Sequence, residues 1–226
     1  MRYPDGNGLD TNAQMANAGL TRRLNARSSL SGQYSFTEFS YPGNNLAQPI
    51  SSFVTNAAFF GYQRVWNRSI TTNVSAGPEW LASSNSAVVP SSTSVAGNAS
   101  ASDQFRFGSA SLNFSRQVSG GGGYLVGGEV STVSAGFARE FERKLSVNLT
   151  GGYMRTSGLA NQGEYDGKFG AAMATLRLSR YFTAFASYTG TDQSTPSSSS
   201  GNALSGLWQV ASFGIGYSPR EKHVNK

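Results

Sequence analysis

The chain has 226 residues, a single histidine, no cysteine, and 18 Lys+Arg against 12 Asp+Glu, for a formal charge of +6. Its length suits one domain; the missing cysteine excludes a disulfide framework, a thiolate metal site and a thiol nucleophile, and no run of about eighteen apolar residues could cross a membrane as a helix. Charged residues make up only 13%, about half the usual share of a soluble domain, and Ser, Thr, Asn, Gly and Ala stand in their place beside 14 Phe and 10 Tyr, too aromatic a mix for plain disorder.

In chain order, residues 1–11 are polar and loop-like, with no apolar core of a signal peptide. A weak strand is predicted at Asn12–Arg22. Across Arg27–Tyr41, Leu30, Gly32, Tyr34 and Phe36 alternate with Arg27, Ser29, Ser31, Gln33 and Ser35, the two-residue period of a strand with one apolar and one polar face. After a weaker segment at Ile50–Val65, Ile70–Ser83 sets Ile70, Val74, Ala76 and Trp80 against Thr71, Asn73, Ser75, Gly77 and Glu79. Ser94–Ser102 is weak again. Ala110, Leu112 and Phe114 then oppose Ser111, Asn113 and Ser115, and after Ser131–Phe141 the run Leu145–Thr156 places Leu145, Val147, Leu149 and Tyr153 opposite Ser146, Asn148 and Thr150. Phe169–Arg180 is weak, Phe182–Thr189 clear, and Ala211, Phe213, Ile215 and Tyr217 alternate with Ser212, Gly214 and Gly216. About eleven strands result, spanning 12–218 and followed by a basic tail at 219–226.

Two kinds of connection alternate between them. One is tight and basic, at Arg22–Asn25, Trp66–Ser69, Asp103–Arg106, Glu142–Lys144 and Ser179–Tyr181. The other is longer and rich in small residues, at Pro42–Asn45, Ser83–Thr93, Ser119–Gly128, Asn161–Gly167 and Thr195–Gly206. The chain therefore reads as a repeated hairpin meander, whose edges must be managed by a sandwich, a propeller or a closed barrel. A soluble sandwich decorates its outer face with Lys, Glu, Asp and Arg, whereas here the polar face is nearly uncharged. Small polar residues on one face and Leu, Val, Ala and aromatics on the other suit a wall with a polar interior and a lipid-facing exterior. The expected fold is all-β: an antiparallel up-and-down transmembrane β-barrel of about 11–12 strands.

With these alternations the chain resembles the single-chain outer-membrane β-barrels of Gram-negative bacteria, and more loosely porin-like barrels with strands such as Leu145-Ser146-Val147-Asn148-Leu149-Thr150. That resemblance implies a place in the bacterial outer membrane, with the lipid bilayer, lipopolysaccharide and the barrel-insertion machinery as partners. It also implies tight turns in the periplasm, which places Arg22, Arg68, Arg106, Arg143 and Arg180 on the inner rim. Such barrels have even strand numbers, so a count of eleven suggests the C-terminal portion of a longer barrel or a miscount by one. The tail beyond Tyr217 departs from the terminal aromatic of many of these barrels, a role left to Phe213 or Tyr217.

Lumen-facing candidates are Arg27, Gln33, Asn73, Glu79, Asn113, Asn148 and Arg177; inward Arg27 and Arg177 would bias a pore toward anions. Lipid-facing or girdle candidates are Leu30, Tyr34, Phe36, Trp66, Trp80, Leu112, Phe114, Leu149, Tyr153, Tyr188, Phe213 and Tyr217, with Tyr41 and Trp208 as further girdle aromatics. Glu38, Glu79, Asp166 and Asp192 sit near the long-loop ends as carboxylates able to hold calcium or bridge lipopolysaccharide. His223 lies in the tail, away from any Ser or carboxylate partner, so no hydrolytic constellation assembles, and neither cofactor, metal nor enzymatic activity is expected. The run Gly120–Gly123 lacks the Lys-Ser/Thr of a phosphate loop. Cations spread along a repeat argue against nucleic acid. Three functions remain: a porin-like or polysaccharide-export channel for polar solutes, a plugged structural or adhesive barrel acting through its loops, and a secreted soluble β-sandwich that binds carbohydrate.

Overall fold

The computed structural model describes residues 12–41, 52–86, 89–120, 127–142, 144–159, 163–194 and 206–217. They form β1 (Asn12–Asn25), β2 (Ser28–Ser40), β3 (Ser52–Val65), β4 (Ile70–Ser83), β5 (Ser92–Phe105), β6 (Gly108–Ser119), β7 (Gly128–Phe141), β8 (Leu145–Gly158), β9 (Glu164–Arg177), β10 (Phe182–Ser194) and β11 (Gly206–Tyr217). All eleven lie in one sheet in sequence order, each pair antiparallel, so the hairpin meander is the observed fold. Two sheets packed face to face, as a sandwich needs, do not occur among the described residues.

Several strands outrun their predicted bounds because backbone pairing continues where side-chain alternation fades. β1 runs on to Asn25, so Arg22 and Arg23 pair with Leu30 and Ser29 instead of forming a turn. β5 continues through Phe105, paired with Gly108. β9 begins at Glu164, five residues before the expected Phe169, with Asp166 and Lys168 hiding its period.

Short polar side chains close the tight turns by accepting backbone N–H groups, the local chemistry that makes Asn and Ser turn residues. Asn25 Oδ1 accepts from the Arg27 N–H at 2.8 Å. Asn67 Oδ1 accepts from Ser69 and Ile70 at 2.9 and 2.7 Å, and Ser179 Oγ from Tyr181 and Phe182, both at 3.2 Å.

The sheet is curled. In a flat sheet, strands about 4.8 Å apart would put Phe53 on β3 about 24 Å from the end of β8, yet Leu159, just past β8, packs against the cluster that contains Phe53. The Tyr41 hydroxyl, just past β2, likewise donates to the Gly120 carbonyl just past β6, at 2.6 Å. The face holding Phe53 is therefore concave, and register transfers this assignment from strand to strand.

Closure was expected, and the described sheet has two edges: β1 pairs only with β2 and β11 only with β10. All fourteen residues of β1 are exposed. With eleven antiparallel strands in order, β1 and β11 run in the same direction, each from the long-loop end to the tight-turn end.

Candidate functional site

Register from β2 outward puts Gln33, Asn73, Asn113 and Asn148 on the concave face. Gln33 lies opposite Phe59, Gln63 opposite Asn73, Asn73 opposite Ser100, Ser100 opposite Asn113, and Asn148 opposite Met173. Between them run Ser75, Asn98, Ser102, Ser111, Ser134 and Thr150, so that over β4–β8 the face is mostly hydroxyls and amides, while Phe59, Phe169, Met173, Phe185 and Trp208 share it on the flanking strands. Arg177, opposite Thr183, shares this face at the tight-turn end of β9. Arg27 sits in the β1–β2 turn, its N–H held by Asn25, while its carbonyl accepts the Val65 N–H at 2.8 Å, one step past the Ser28–Arg64 pair.

On the convex face, successive strands carry Leu20, Leu30, Tyr34, Phe36, Phe60, Val74, Trp80, Leu112, Phe114, Val133, Phe137, Leu149, Tyr153, Tyr188, Phe213, Ile215 and Tyr217. Exposure reaches 84% at Leu20 and 90% at Phe213, although a water-soluble fold would bury such side chains. Trp66 lies one residue past β3, its Nε1–H donating to Thr72 Oγ1 at 2.9 Å. Trp208 pairs with Thr191, which places it on the face opposite Leu207 and Phe213 and removes it from a lipid-side girdle.

Both ends of this apolar band are marked. Toward the long loops, charge takes over on the same face: Glu38, the ion pair Arg116–Glu129, the ion pair Arg155–Glu164, Asp166, Lys168 and Asp192. Here the Tyr153 hydroxyl donates to Asp166 Oδ1 at 2.5 Å. Toward the tight turns, guanidinium groups lie over aromatic rings, Arg64 over Trp66 at 4.1 Å, Arg106 over Phe107 at 4.9 Å and Arg139 over Phe141 at 4.8 Å. Among the described residues no His/Cys/Asp/Glu group could hold a metal ion.

Inside the concave face, at the long-loop end, lies the only fully buried apolar cluster among the described residues. Phe53 (1% exposed), Leu81, Tyr41, Val118 and Val89 (0% exposed) form it, with Phe39 and Leu159 against them. Val89 comes from the β4–β5 connection and packs into this cluster. Tyr41, expected in an aromatic girdle, is instead buried here; its burial holds the phenol well above its ordinary pKa.

Glu79, expected to face a lumen, is on the concave face but only 5% exposed. Pairing of β5 with β6 begins at Gly97 and Arg116, leaving Ser92–Ala96 bound to β4 alone. The Val118 N–H therefore has no strand partner on that side. Both Glu79 carboxylate oxygens accept it, at 3.3 and 3.1 Å, a charge-assisted bond that closes the split. Sequence reasoning found Glu79 but missed Val89 and Val118. Val118 keeps the parity of Leu112 and Phe114, which reads as the convex face, yet it packs with Phe53, and the carboxylate its N–H meets lies 39 residues away.

No protein-family model matches the chain, and no curated protein matches it significantly.

Proposed function

We propose that this protein is a membrane-inserted β-barrel of the outer-membrane type that passes small polar solutes, with a mouth narrowed at the long-loop end. The observation that carries the reading is the convex face: an exposed apolar band on every strand, ended by charge on one side and by Arg–aromatic pairs on the other. On β8 the band runs from Leu145 to Tyr153, about 30 Å of strand. A tilt of about 40° reduces this to about 23 Å of height, near the roughly 25 Å apolar belt of transmembrane barrels. The uncharged concave wall suits neutral solutes such as sugars, while Arg177 adds a weak preference for anions at the tight-turn end.

In hydrocarbon, each unpaired backbone group costs several kcal/mol, so this reading requires the outer edges of β1 and β11 to be covered. Because the two strands run the same way, the cover is either a direct parallel seam or one interposed antiparallel strand.

The apolar cluster of Tyr41, Phe53, Leu81, Val89 and Val118 favours a second reading, in which the mouth is shut and the long loops do the work. Refolding with and without detergent, followed by single-channel recording, separates these. Structure that appears only with detergent, together with measurable conductance that rises in Val89→Ser, is the expected result. A silent wild type with a conducting Val89→Ser variant gives the plugged barrel, and folding in plain buffer overturns both.

A further inference from the structure

The groove between the β5–β6 and β7–β8 turns has a composition that the channel reading leaves unused. It is a cavity of about 960 Å³ lined by Arg106, Phe107, Arg139, Phe141, Lys144 and Leu145, with Leu176, Glu140 and Glu142 completing it. The two turns are held together by the Glu140 N–H donating to the Phe107 carbonyl at 2.7 Å, and Arg139 pairs with Gly108 at the start of β6. The groove is therefore built on paired backbone.

Its walls divide by chemistry. Phe141 pairs with Leu145 and Leu145 with Leu176, giving a continuous apolar row on the convex face across β7, β8 and β9, at the tight-turn end of the exposed band. Two cations, Arg106 and Lys144, stand in the turns beyond this row, and Arg139 lies on the same face one pleat to its inner side, level with Gly108 and Val147. Arg106 and Arg139 lie over the rings of Phe107 and Phe141, and among the described residues neither these two nor Lys144 has a carboxylate ion-pair partner. A guanidinium presents paired N–H donors that match a phosphate oxygen edge. An apolar row, with the Arg139 guanidinium drawn over the Phe141 ring and the turn cations Arg106 and Lys144 at its outer side, sets a surface for an acyl chain beside one for a phosphate.

We infer that this groove binds an anionic phospholipid of the leaflet adjoining the tight turns, its phosphate between Arg106, Arg139 and Lys144 and an acyl chain along Phe141, Leu145 and Leu176. The inference rests on the membrane-barrel reading. Three cations against the two carboxylates Glu140 and Glu142 favour a lipid with net negative charge over a zwitterionic one.

The test uses the full chain refolded into vesicles of phosphatidylcholine alone or mixed with phosphatidylglycerol, then released in mild detergent and weighed intact by native mass spectrometry. Wild-type protein retains phosphatidylglycerol in preference to phosphatidylcholine. Arg106→Gln and Arg139→Gln each lower that preference about fivefold, and Arg106→Lys keeps most of it. Heat-modifiable gel mobility in phosphatidylcholine reports folding separately. A folded protein with no lipid preference, or with an unchanged preference in both Gln variants, overturns the site and leaves the barrel standing. Complete displacement by inorganic phosphate shows a bare anion site and overturns the lipid assignment. Failure to insert into either vesicle overturns the barrel and the site together.

Discussion

At the scale of single residues, the concave side is held by a few long-range bonds of buried groups. Tyr41→Phe removes the donor to the Gly120 carbonyl while keeping the ring, and is expected to cost about 1 kcal/mol. Glu79→Ala leaves the Val118 N–H buried without an acceptor and costs about 1–3 kcal/mol, whereas Glu79→Gln retains an oxygen and loses less. Urea unfolding of the refolded protein measures both; an Ala variant as stable as wild type would contradict the sealing role of Glu79. Of these residues the sequence displayed only membership of a face. The alternation of Thr71, Asn73, Ser75, Gly77 and Glu79 placed Glu79 correctly, but its partner is set by the gap between β5 and β6, which local pattern does not encode. Tyr41 was misplaced for the same reason: an aromatic next to a strand end looks the same whether it meets lipid or folds inward.

At the scale of strands, the two faces predict opposite responses to one substitution. Leu149→Lys puts a charge in the middle of the convex band and is expected to cost about 2–4 kcal/mol in a bilayer. Asn148→Lys, one residue away, faces the polar wall and is expected to be tolerated. Folding yield and urea midpoint in vesicles check the pair, and equal behaviour would contradict the lipid-facing assignment, since Leu149 is already exposed and its loss costs a water-soluble fold little. Small residues also shape the wall. At Gly108 a Cβ would run into the Ala138 carbonyl oxygen and then the Phe105 ring, and Phe105 stacks on Phe137 with centroids 6.0 Å apart, an aromatic covering a strand glycine. Strand existence was legible because alternation is a local property. Strand length was less so: the charged residues at the start of β9 carry no apolar period, and only pairing with β8 and β10 extends it to Glu164.

At the scale of the whole molecule, the sheet's edges decide the architecture. If the protein inserts as a barrel, the outward amides of β1 and β11 must be hydrogen-bonded, by each other or by an interposed strand. Hydrogen exchange in vesicles is expected to protect them as well as those of β5 and β6, and rapid exchange along β1 would rule out closure in the bilayer. The same sheet leaves its apolar cluster to one end and one side, over β2, β3, β4 and β6. The concave surface of β9–β11 mixes Thr189, Thr191 and Ser212 with Phe169, Met173, Phe185 and Trp208, with the Ser187 and Ser212 hydroxyls 2.6 Å apart.

By itself the sequence determined the all-β meander, the alternation of tight and long connections and the chemistry of the two faces. Each is written in a period of two residues and in turn-forming side chains, which act over a few positions. Only the tertiary structure decided which way the sheet curls, that Tyr41 and Val89 turn inward, that Glu79 seals a split between strands, and that Arg106, Arg139 and Lys144 share a groove. These depend on curvature, which brings together residues separated by tens of positions, and curvature is a property of the assembled sheet.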